Sequence, residues 1–358
     1  MKIGLFNTAF VGDVALMGRL VDALSLAGHE IVLFSNSAGC SLFQFDSRVK
    51  KTVVVKKQGG FGKIKTIFSI ANKVRNEELD ILLMAHKSFS SGCIAILSSV
   101  HKTIVFSGAS SSQVFFSKAV HANGIHESAR YLALANGLVS EDIFRASQLK
   151  LFGDVGLNSF LNAYPGFLDA SRGAFFLCSP GSVWNTKRYP ARLHADLLRR
   201  LLENVPNLRC VLSGGPSDGL IINEVLSELR RVAPEFLDQF RIVDASACLP
   251  LPELIELTRR ASFVLTPDSA PLHIASATGT KTFAFFGPTS PETGFGPLLE
   301  DSVLIDHHNI RGLRLPCQPC SKHGHRSCPL GHHKCLSDLP ADSVAARMLE
   351  SLTPYLTQ

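Results

Sequence analysis

Residues 2–34, KIGLFNTAFVGDVALMGRLVDALSLAGHEIVLF, decide the fold class. Two apolar runs of strand length, 2–7 and 30–34, flank residues 14–27, where apolar side chains recur at helical spacing. A strand, a helix and a strand in this order predict a βαβ unit, because parallel neighbouring strands need a crossover connection. The first half therefore reads as α/β, with further strands predicted at 52–55, 81–85 and 103–106.

The second half repeats this alternation of strands and helices. Between the halves lies NAYPGFLDASRG, residues 162–173, which holds a proline, two glycines and little periodicity. We therefore expect two Rossmann-like, doubly wound domains, 1–165 and 174–340, facing across a ligand-binding cleft, followed by a helix over 341–358. Strands are predicted at 174–178, 209–213, 241–243, 263–266 and 282–286, with helices at 192–204, 223–232, 251–260 and 273–278.

Composition excludes several classes of protein. The 358 residues are 46% hydrophobic and 18% charged, which is too apolar for a disordered chain or a coiled coil. We find no apolar run of about 18 residues and no secretory signal, so no membrane span is expected. Nine cysteines, an odd number with five in apolar segments, favour a reduced, cytoplasmic chain.

The net charge of +6 falls almost wholly in the first half. Such a basic surface suits an anionic partner, namely nucleic acid, an acidic membrane or a phosphorylated substrate, and it is equally compatible with an ordinary solvated face. Many of the cations belong to one short region, at Lys50, Lys51, Lys56, Lys57, Lys63 and Lys65.

The segment PGSVWNTKRYP, residues 180–190, follows a predicted strand and precedes a helix. Backbone N–H groups at such a turn are suited to an anion. Ser182 and Thr186 add hydroxyl donors, while Lys187 and Arg188 add positive charge. The pattern indicates a phosphate site, with a solvated structural turn as the alternative.

Two further loops follow strands of the second half. In GGPSDG, residues 214–219, Asp218 is placed to accept hydrogen bonds from a ribose, or to cap a helix. In TPDSAPLHIASATG, residues 266–279, Asp268 and Ser269 lie at a strand-to-helix turn and His273 in the first helical turn. Helix N–H groups favour a negative ligand there, and the alternatives are capping for Asp268 and a core position for His273.

The order and spacing of these segments closely resemble glycosyltransferase family 9, the ADP-heptose:lipopolysaccharide heptosyltransferases. FVGDVAL at 10–16 resembles the Gly-Asp turn of that family, and the tail resembles its heptosyltransferase II subgroup. The resemblance implies a GT-B fold, with the last helix crossing back to pack on the first domain. It implies inverting transfer of heptose from ADP-L-glycero-D-manno-heptose to the lipopolysaccharide inner core.

The resemblance also implies roles for individual residues. Asp13 corresponds to the general base, and Lys187 to the residue that meets the donor phosphate. Asp218 matches the ribose-binding acid approximately. The stretch that holds the diphosphate and sugar corresponds to Asp268, Ser269, Ala270 and His273, with Ala270 where the family has glycine. Lys281 stands where the family has proline.

The implied partners are an ADP-sugar and an anionic, lipid-linked or core oligosaccharide acceptor, met at the inner face of the inner membrane. No catalytic metal and no nucleic acid are expected. The alternatives are a related enzyme that heptosylates a protein or uses another nucleotide sugar, and a non-catalytic binding protein. A Walker A loop and a G-x-S-x-G motif are both missing from the sequence, which argues against ATP hydrolysis and serine hydrolase chemistry.

The tail segment CQPCSKHGHRSCPLGHHKC, residues 317–335, combines four cysteines with four histidines. Its C-x-x-C has zinc-ligand spacing, although the second pair is wider than a usual knuckle. A structural zinc site, iron or an iron–sulfur centre, and free or disulfide-linked thiols all fit. A zinc-ribbon nucleic-acid module is disfavoured, because basic and aromatic residues are not interleaved. The candidate ligands are Cys317, Cys320, Cys328 and Cys335.

Overall fold

The computed structural model describes residues 1–56, 63–109, 117–119, 125–246 and 248–356. It divides the chain into two compact units, Met1–Gly153 and Asp154–Gln358. Each unit is a parallel sheet with helices, so the predicted α/β class is confirmed. Within the described ranges, no helix is both long and apolar enough to cross a bilayer.

The first unit contains a six-stranded parallel sheet of order β3-β2-β1-β4-β5-β6. The order reverses between β1 and β4, where a doubly wound sheet opens a crevice at the carboxyl ends of its strands. Its strands are β1 Lys2–Phe6, β2 Glu30–Ser35, β3 Lys51–Val54, β4 Ile81–Met84, β5 Lys102–Phe106 and β6 Ser117–Ala119. Its helices are α1 Val11–Ala15, α2 Gly18–Leu26, α3 Ser37–Leu42, α4 Lys63–Arg75, α5 Phe89–Ser98, α6 Glu127–Leu132 and α7 Glu141–Ala146.

The βαβ unit that opens the chain is confirmed, with β1 and β2 parallel and Lys2 opposite Glu30. The single helix predicted over 14–27 is instead two helices, α1 and α2. The chain tightens between them, because the N–H of Met17 bonds to the carbonyl of Val14 at 3.1 Å over a three-residue span. Gly18, a poor helix former, follows this turn.

The second unit contains a parallel sheet of order β12-β11-β10-β7-β8-β9, the same doubly wound order met in reverse. Its switch point, which is the position where the strand order reverses, lies between β7 and β10. The strands are β7 Phe175–Cys178, β8 Arg209–Leu212, β9 Ile242–Asp244, β10 Val264–Pro267, β11 Thr282–Phe285 and β12 Val303–Ile305. The helices are α8 Asn158–Ala163, α9 Ala191–Asn204, α10 Gly219–Val232, α11 Pro234–Asp238, α12 Leu251–Arg260, α13 Ala270–Thr278, α14 His307–Arg311, α15 Lys334–Ser337 and α16 Ala341–Leu356.

The boundary between the units precedes the predicted one, which was placed between residues 165 and 174. Helix α8 already belongs to the second unit, where Phe160 is fully buried against Phe167. Both carboxylate oxygens of Glu253 in α12 accept N–H groups at the start of α8, from Ser159 and Phe160, each at 2.9 Å. Apolar burial and capping by a buried carboxylate therefore fix α8 to the second unit.

The last helix, α16, packs within the second unit, and its predicted packing on the first domain stays a prediction. The buried side chains of α16, which include Val344, Met348 and Leu352, belong to the apolar core that surrounds α9 in the second unit. Lys281 supplies a polar contact, since its ammonium donates to the carbonyl of Ser351 at 2.9 Å. The unexpected cation therefore holds α16 from the amino-terminal end of β11, opposite the edge that carries the predicted site.

Candidate active site

The predicted donor residues meet at the switch point of the second sheet. The loop after β7 supplies Lys187, the loop after β10 supplies Asp268, and the loop after β11 supplies Thr289. Lys187 Nζ lies 2.6 Å from Asp268 Oδ2 and 3.1 Å from the Asp268 carbonyl oxygen. Thr289 Oγ1 donates to the same carboxylate oxygen at 2.9 Å. All three side chains are buried, so this network is a fixed charged structure at the strand ends.

The arrangement leaves Lys187 with one further hydrogen bond to give. An ammonium carries three N–H donors, and two of them point to Asp268. Asp268 does not cap the following helix, because its carboxylate binds Lys187 and Thr289 instead. The capping alternative for Asp268 is therefore wrong.

Helix α13 begins beside this network. Ser269 is its N-cap residue, and among the described residues no side chain caps the helix. Pro271 carries no N–H and the N–H of Leu272 bonds to the Ser269 carbonyl at 3.1 Å, so the N–H of Ala270 is the first-turn group suited to an anion, a preference that the helix dipole reinforces. Ala270 opens the helix, and His273 is buried in its first turn with its ring 6.0 Å from that of Phe295.

The loop after β7, which contains the predicted phosphate turn 180–190, is held in shape by its own Arg188. Arg188 donates twice to the carbonyl of Ser182, at 2.9 and 2.6 Å, so its charge serves the loop. The Ser182 hydroxyl accepts from the N–H of Trp184 at 3.3 Å and keeps its proton for a further acceptor.

Asp218 lies against the same loop. One of its oxygens accepts the N–H of Gly215 at 2.9 Å. Its carboxyl carbon lies where a Cβ on Gly181 would approach within 2.3 Å. Only glycine at position 181 permits this contact between the two loops, which places the second Asp218 oxygen beside the predicted phosphate turn.

The tail segment 317–335 packs on the loop after β7. The Thr186 hydroxyl donates to the carbonyl of His325 at 2.9 Å and accepts its N–H at 2.8 Å. His333 Nε2 donates to the Thr186 carbonyl at 2.7 Å. The hydroxyl proton of Thr186 is therefore used within the protein, which argues against its predicted contact with phosphate.

The tail also packs closely against Trp184 and Lys187 at Gly324, and it contacts the loop after β11. Gly324 has φ +99°, and a Cβ there would lie 2.7 Å from the Cβ of Trp184 and 3.2 Å from Lys187 Cε. The N–H groups of Cys320 and Ser321 both donate to the carbonyl of Pro288 at 3.0 Å. The sequence gives no sign that the tail contacts these loops. In the structure, the tail packs against the loops after β7 and β11.

The four tail cysteines line one small cavity together with histidines and prolines. The backbone N–H groups of residues 330–333 converge on Cys328 and lower the pKa of its thiol. Burial, followed by the charges of the other three sulfurs, raises the pKa of Cys335 to about 12. Among the described residues, no three potential ligand side chains stand ready-arranged around a metal position. Metal binding therefore stays a prediction.

Asp13 lies at the corresponding edge of the first sheet, after β1 and in the first turn of α1. It is half-buried, and burial together with the negative charge of Asp13 raises the pKa of the Tyr131 hydroxyl in α6 well above its usual value. Asn7, which is fully buried at the end of β1, acts in the opposite direction on the pKa of the same hydroxyl. Neither Tyr131 nor Asn7 was singled out from the sequence, where nothing marks them as neighbours of Asp13.

The lysines between residues 50 and 65 are exposed where the structure describes their side chains, and one of them is paired with a carboxylate. Lys51 is exposed and bonds to Glu77 at 2.6 Å, and Lys50, Lys56 and Lys65 are also exposed. Lys57 and the side chain of Lys63 lie outside the described residues.

Comparison with known proteins decides the family. A model of glycosyltransferase family 9 (heptosyltransferase) matches residues 67–330. The chain belongs to this family. Family 9 membership makes the protein a glycosyltransferase and confirms the resemblance drawn from the loops and the tail.

Named relatives agree with family 9. The chain is 24% identical to lipooligosaccharide heptosyltransferase 2 of Campylobacter jejuni over 361 residues, which covers 99% of this chain and 100% of the relative. The structure of Escherichia coli ADP-heptose lipopolysaccharide heptosyltransferase II matches with TM-score 0.76 at 20% identity, over 100% of this chain and 99% of that one. The iron-containing dodecameric glycosyltransferase TibC of enterotoxigenic E. coli matches with TM-score 0.57 at 12% identity, covering 100% and 80%. The GT-B prediction is thereby confirmed.

Proposed function

We propose that this family 9 enzyme transfers heptose from ADP-L-glycero-D-manno-heptose to the lipopolysaccharide inner core with inversion. The observation that carries the proposal is the buried Lys187–Asp268–Thr289 network beside the uncapped start of α13. Such a site suits a diphosphate, because it offers a cation and helix N–H groups at one sheet edge. The heptosyltransferases among the relatives support the choice of sugar and acceptor.

In the proposed reaction an acceptor hydroxyl attacks the anomeric carbon of the heptose. The new bond joins that carbon to the acceptor oxygen, while the bond from the same carbon to the diphosphate oxygen breaks on the opposite face. The hydroxyl proton passes to the carboxylate of Asp13, and ADP leaves with the bonding electrons. A positioned general base contributes about 10²–10⁴-fold to such a step.

The leaving ADP gathers negative charge as the bond breaks. The remaining N–H of Lys187 and the N–H of Ala270 at the start of α13 are fixed before the reaction, so they stabilise this charge without reorganising. Protein groups rather than a catalytic metal therefore neutralise the charge. Ser182 and Asp218 complete the donor contacts, with Asp218 on the ribose and Ser269 and His273 near the sugar.

A lipid-linked acceptor would be reached at the inner face of the inner membrane, so we propose that the enzyme acts there. Helix α4 supports this assignment, because Ile64 and Phe68 are 69% and 52% exposed on its surface beside the exposed Lys65. Apolar side chains next to cations suit an anionic bilayer surface. We propose peripheral contact there.

We also propose that Cys317, Cys320, Cys328 and Cys335 bind one structural metal ion, zinc or iron. Four sulfurs around one cavity fit a soft metal, and the N–H groups at Cys328 favour its thiolate. Burial and the neighbouring sulfurs disfavour the thiolate of Cys335, and a bound cation would remove that penalty. The iron that the TibC title names supports iron as the alternative to zinc.

The function is tested by incubating the purified enzyme with ADP-, UDP- and GDP-sugars and inner-core acceptor, and measuring released nucleotide and product mass. ADP release with a heptose mass added to the acceptor is expected. Release of UDP or GDP, or transfer to a protein acceptor instead, would overturn the assignment of substrate. Asp13→Ala serves as the inactive control.

A further inference from the structure

Every polar group of Thr186 is bonded to the tail segment 317–335. Its N–H and its hydroxyl both donate to the carbonyl of His325, at 3.2 and 2.9 Å, and the hydroxyl accepts the N–H of His325 at 2.8 Å. Its carbonyl accepts a hydrogen bond from His333 Nε2 at 2.7 Å. Thr186 therefore connects the loop after β7 to two separate points of the tail.

These bonds lie directly beside Lys187, the residue proposed to meet the donor phosphate. Gly324 of the tail approaches the same side chain, since a Cβ at position 324 would lie 3.2 Å from Lys187 Cε and 2.7 Å from Trp184 Cβ. The N–H of Lys187 donates to the carbonyl of Trp184 at 3.0 Å, which closes the turn. The tail thus holds the backbone and the methylene chain of Lys187, while Asp268 holds its ammonium.

The tail has little apolar anchorage of its own. Across residues 317–334, all of which the structure describes, Gly324 alone is buried. Hydrogen bonds supply much of the remaining attachment, including those from the N–H groups of Cys320 and Ser321 to the carbonyl of Pro288, both at 3.0 Å. A segment that buries so little apolar surface opens locally at a low cost in free energy.

The four tail cysteines lie at both ends of this weakly anchored segment. The C-x-x-C at 317–320 opens it, Cys328 and Cys335 close it, and all four line one small cavity. A metal ion shared by these sulfurs would join the two ends and remove most of the open conformations. Both tail residues that hold Thr186 lie between the outer cysteines, so the metal would also favour their docked position.

We propose that the tail couples the metal site to the donor site through Thr186, so that a soft metal ion on the cysteines tightens the binding of the ADP-sugar. The inference rests on the proposed donor and metal sites. The docked tail holds Lys187 in place before the diphosphate arrives, so less ordering remains to be done on binding. Two ligands that both favour the docked tail strengthen each other by the same factor, because coupling between binding sites is reciprocal.

Calorimetry on two forms of the enzyme tests this coupling. One form carries one equivalent of zinc, and the other is stripped with a chelator that is then removed. ADP and adenosine are titrated without free zinc, because ADP itself binds zinc. We expect the coupling factor, the ratio of the ADP Kd of stripped enzyme to that of loaded enzyme, to be about ten, with little change for adenosine. Saturating ADP should tighten zinc binding, measured against a competing chelator, by the same factor.

Thr186→Val separates the coupling from metal binding. It keeps the shape of the side chain and all four cysteines, and it removes both hydroxyl bonds to His325. We expect this variant to bind one zinc ion, with a coupling factor close to one. Thr258→Val is the matched control, because the buried Thr258 hydroxyl donates to the carbonyl of Leu254 at 2.6 Å within α12. Its coupling factor should stay at about ten.

The possible failures are distinguishable. Equal ADP affinity of zinc-loaded and stripped enzyme would overturn the inference while the metal site stands. Equal coupling factors in Thr186→Val and Thr258→Val would overturn the route through Thr186. Absence of stoichiometric metal would overturn the metal site and the inference together. Tighter binding of UDP or GDP than of ADP would overturn the donor assignment, and the same titrations with that diphosphate would still decide the coupling.

Discussion

The ammonium of Lys187 and the carboxylate of Asp268 form a buried ion pair 2.6 Å apart, although 81 residues separate them in the chain. The pair ties the loop after β7 to the loop after β10 across the switch point. Neither charge has full access to water, so each depends on the other.

This dependence predicts that Lys187→Met has two effects. The free energy of unfolding should fall by about 3 kcal/mol, because the Asp268 carboxylate stays buried without its cation. Affinity for ADP should fall by about 1.5–3 kcal/mol, through loss of the bond from Lys187 to phosphate. Urea unfolding and calorimetry measure the two effects, with adenosine as the ligand that lacks phosphate.

The double variant Lys187→Met/Asp268→Asn separates stability from binding. It should recover most of the lost stability, because no buried charge remains, and none of the ADP affinity. Equal losses of ADP and adenosine affinity in Lys187→Met would show that Lys187 does not contact phosphate.

Thr289 should matter through Asp268 alone. Thr289→Val keeps the shape and removes the 2.9 Å bond to the carboxylate, so we expect kcat/KM to fall about tenfold. Thr293→Val is the matched control, because that hydroxyl donates to the carbonyl of Ser290 and not to Asp268. Similar losses in both variants would indicate general damage to the loop.

Asp13→Ala should reduce transfer by at least a hundredfold and leave ADP binding nearly intact, because the base acts on the acceptor and not on the nucleotide. Single-turnover rates and calorimetry on the same preparation give both quantities. Retention of more than about a tenth of the wild-type rate would exclude Asp13 as the base.

Protein purified without added metal should contain one metal ion per chain, bound by the tail segment 317–335. Elemental analysis measures this stoichiometry. Cys328→Ser should abolish this stoichiometry, because it replaces the sulfur that the backbone N–H groups hold. Cys93→Ser, a half-buried cysteine in α5, should not alter it. Four freely reacting thiols in metal-free native protein would contradict the site.

The sequence predicts the strands well and the contacts between loops poorly. Buried parallel strands such as β1 are apolar on both faces, which marks them clearly along the chain. The three-residue strands β6 and β12 were missed, whereas the equally short β9 was predicted at 241–243. The periodicity of α16 shows that one face is apolar and cannot say which core covers it, so its packing on α9 was not predicted.

The candidate active site shows the same difference between strands, which the sequence marks, and contacts between loops, which it does not. The loops were found because parallel strands bring their carboxyl ends to one edge. The partners Thr289 and Tyr131 were missed, since a lone threonine or tyrosine carries no local signal and its neighbour is chosen by the completed fold. The role of the tail was missed for the same reason.

The bonds from Thr186 to His325 and His333 have a consequence for how the enzyme is made. These partners lie 139 and 147 residues beyond Thr186. At ribosomal rates of about 5–20 residues per second, the donor loop is synthesised roughly 7–28 s before the segment that holds it. A nascent chain can thus complete most of its second sheet while its nucleotide-sugar loop is still unsupported. Translation that stops before the last tail cysteine would leave a protein with strands in place and no finished donor site.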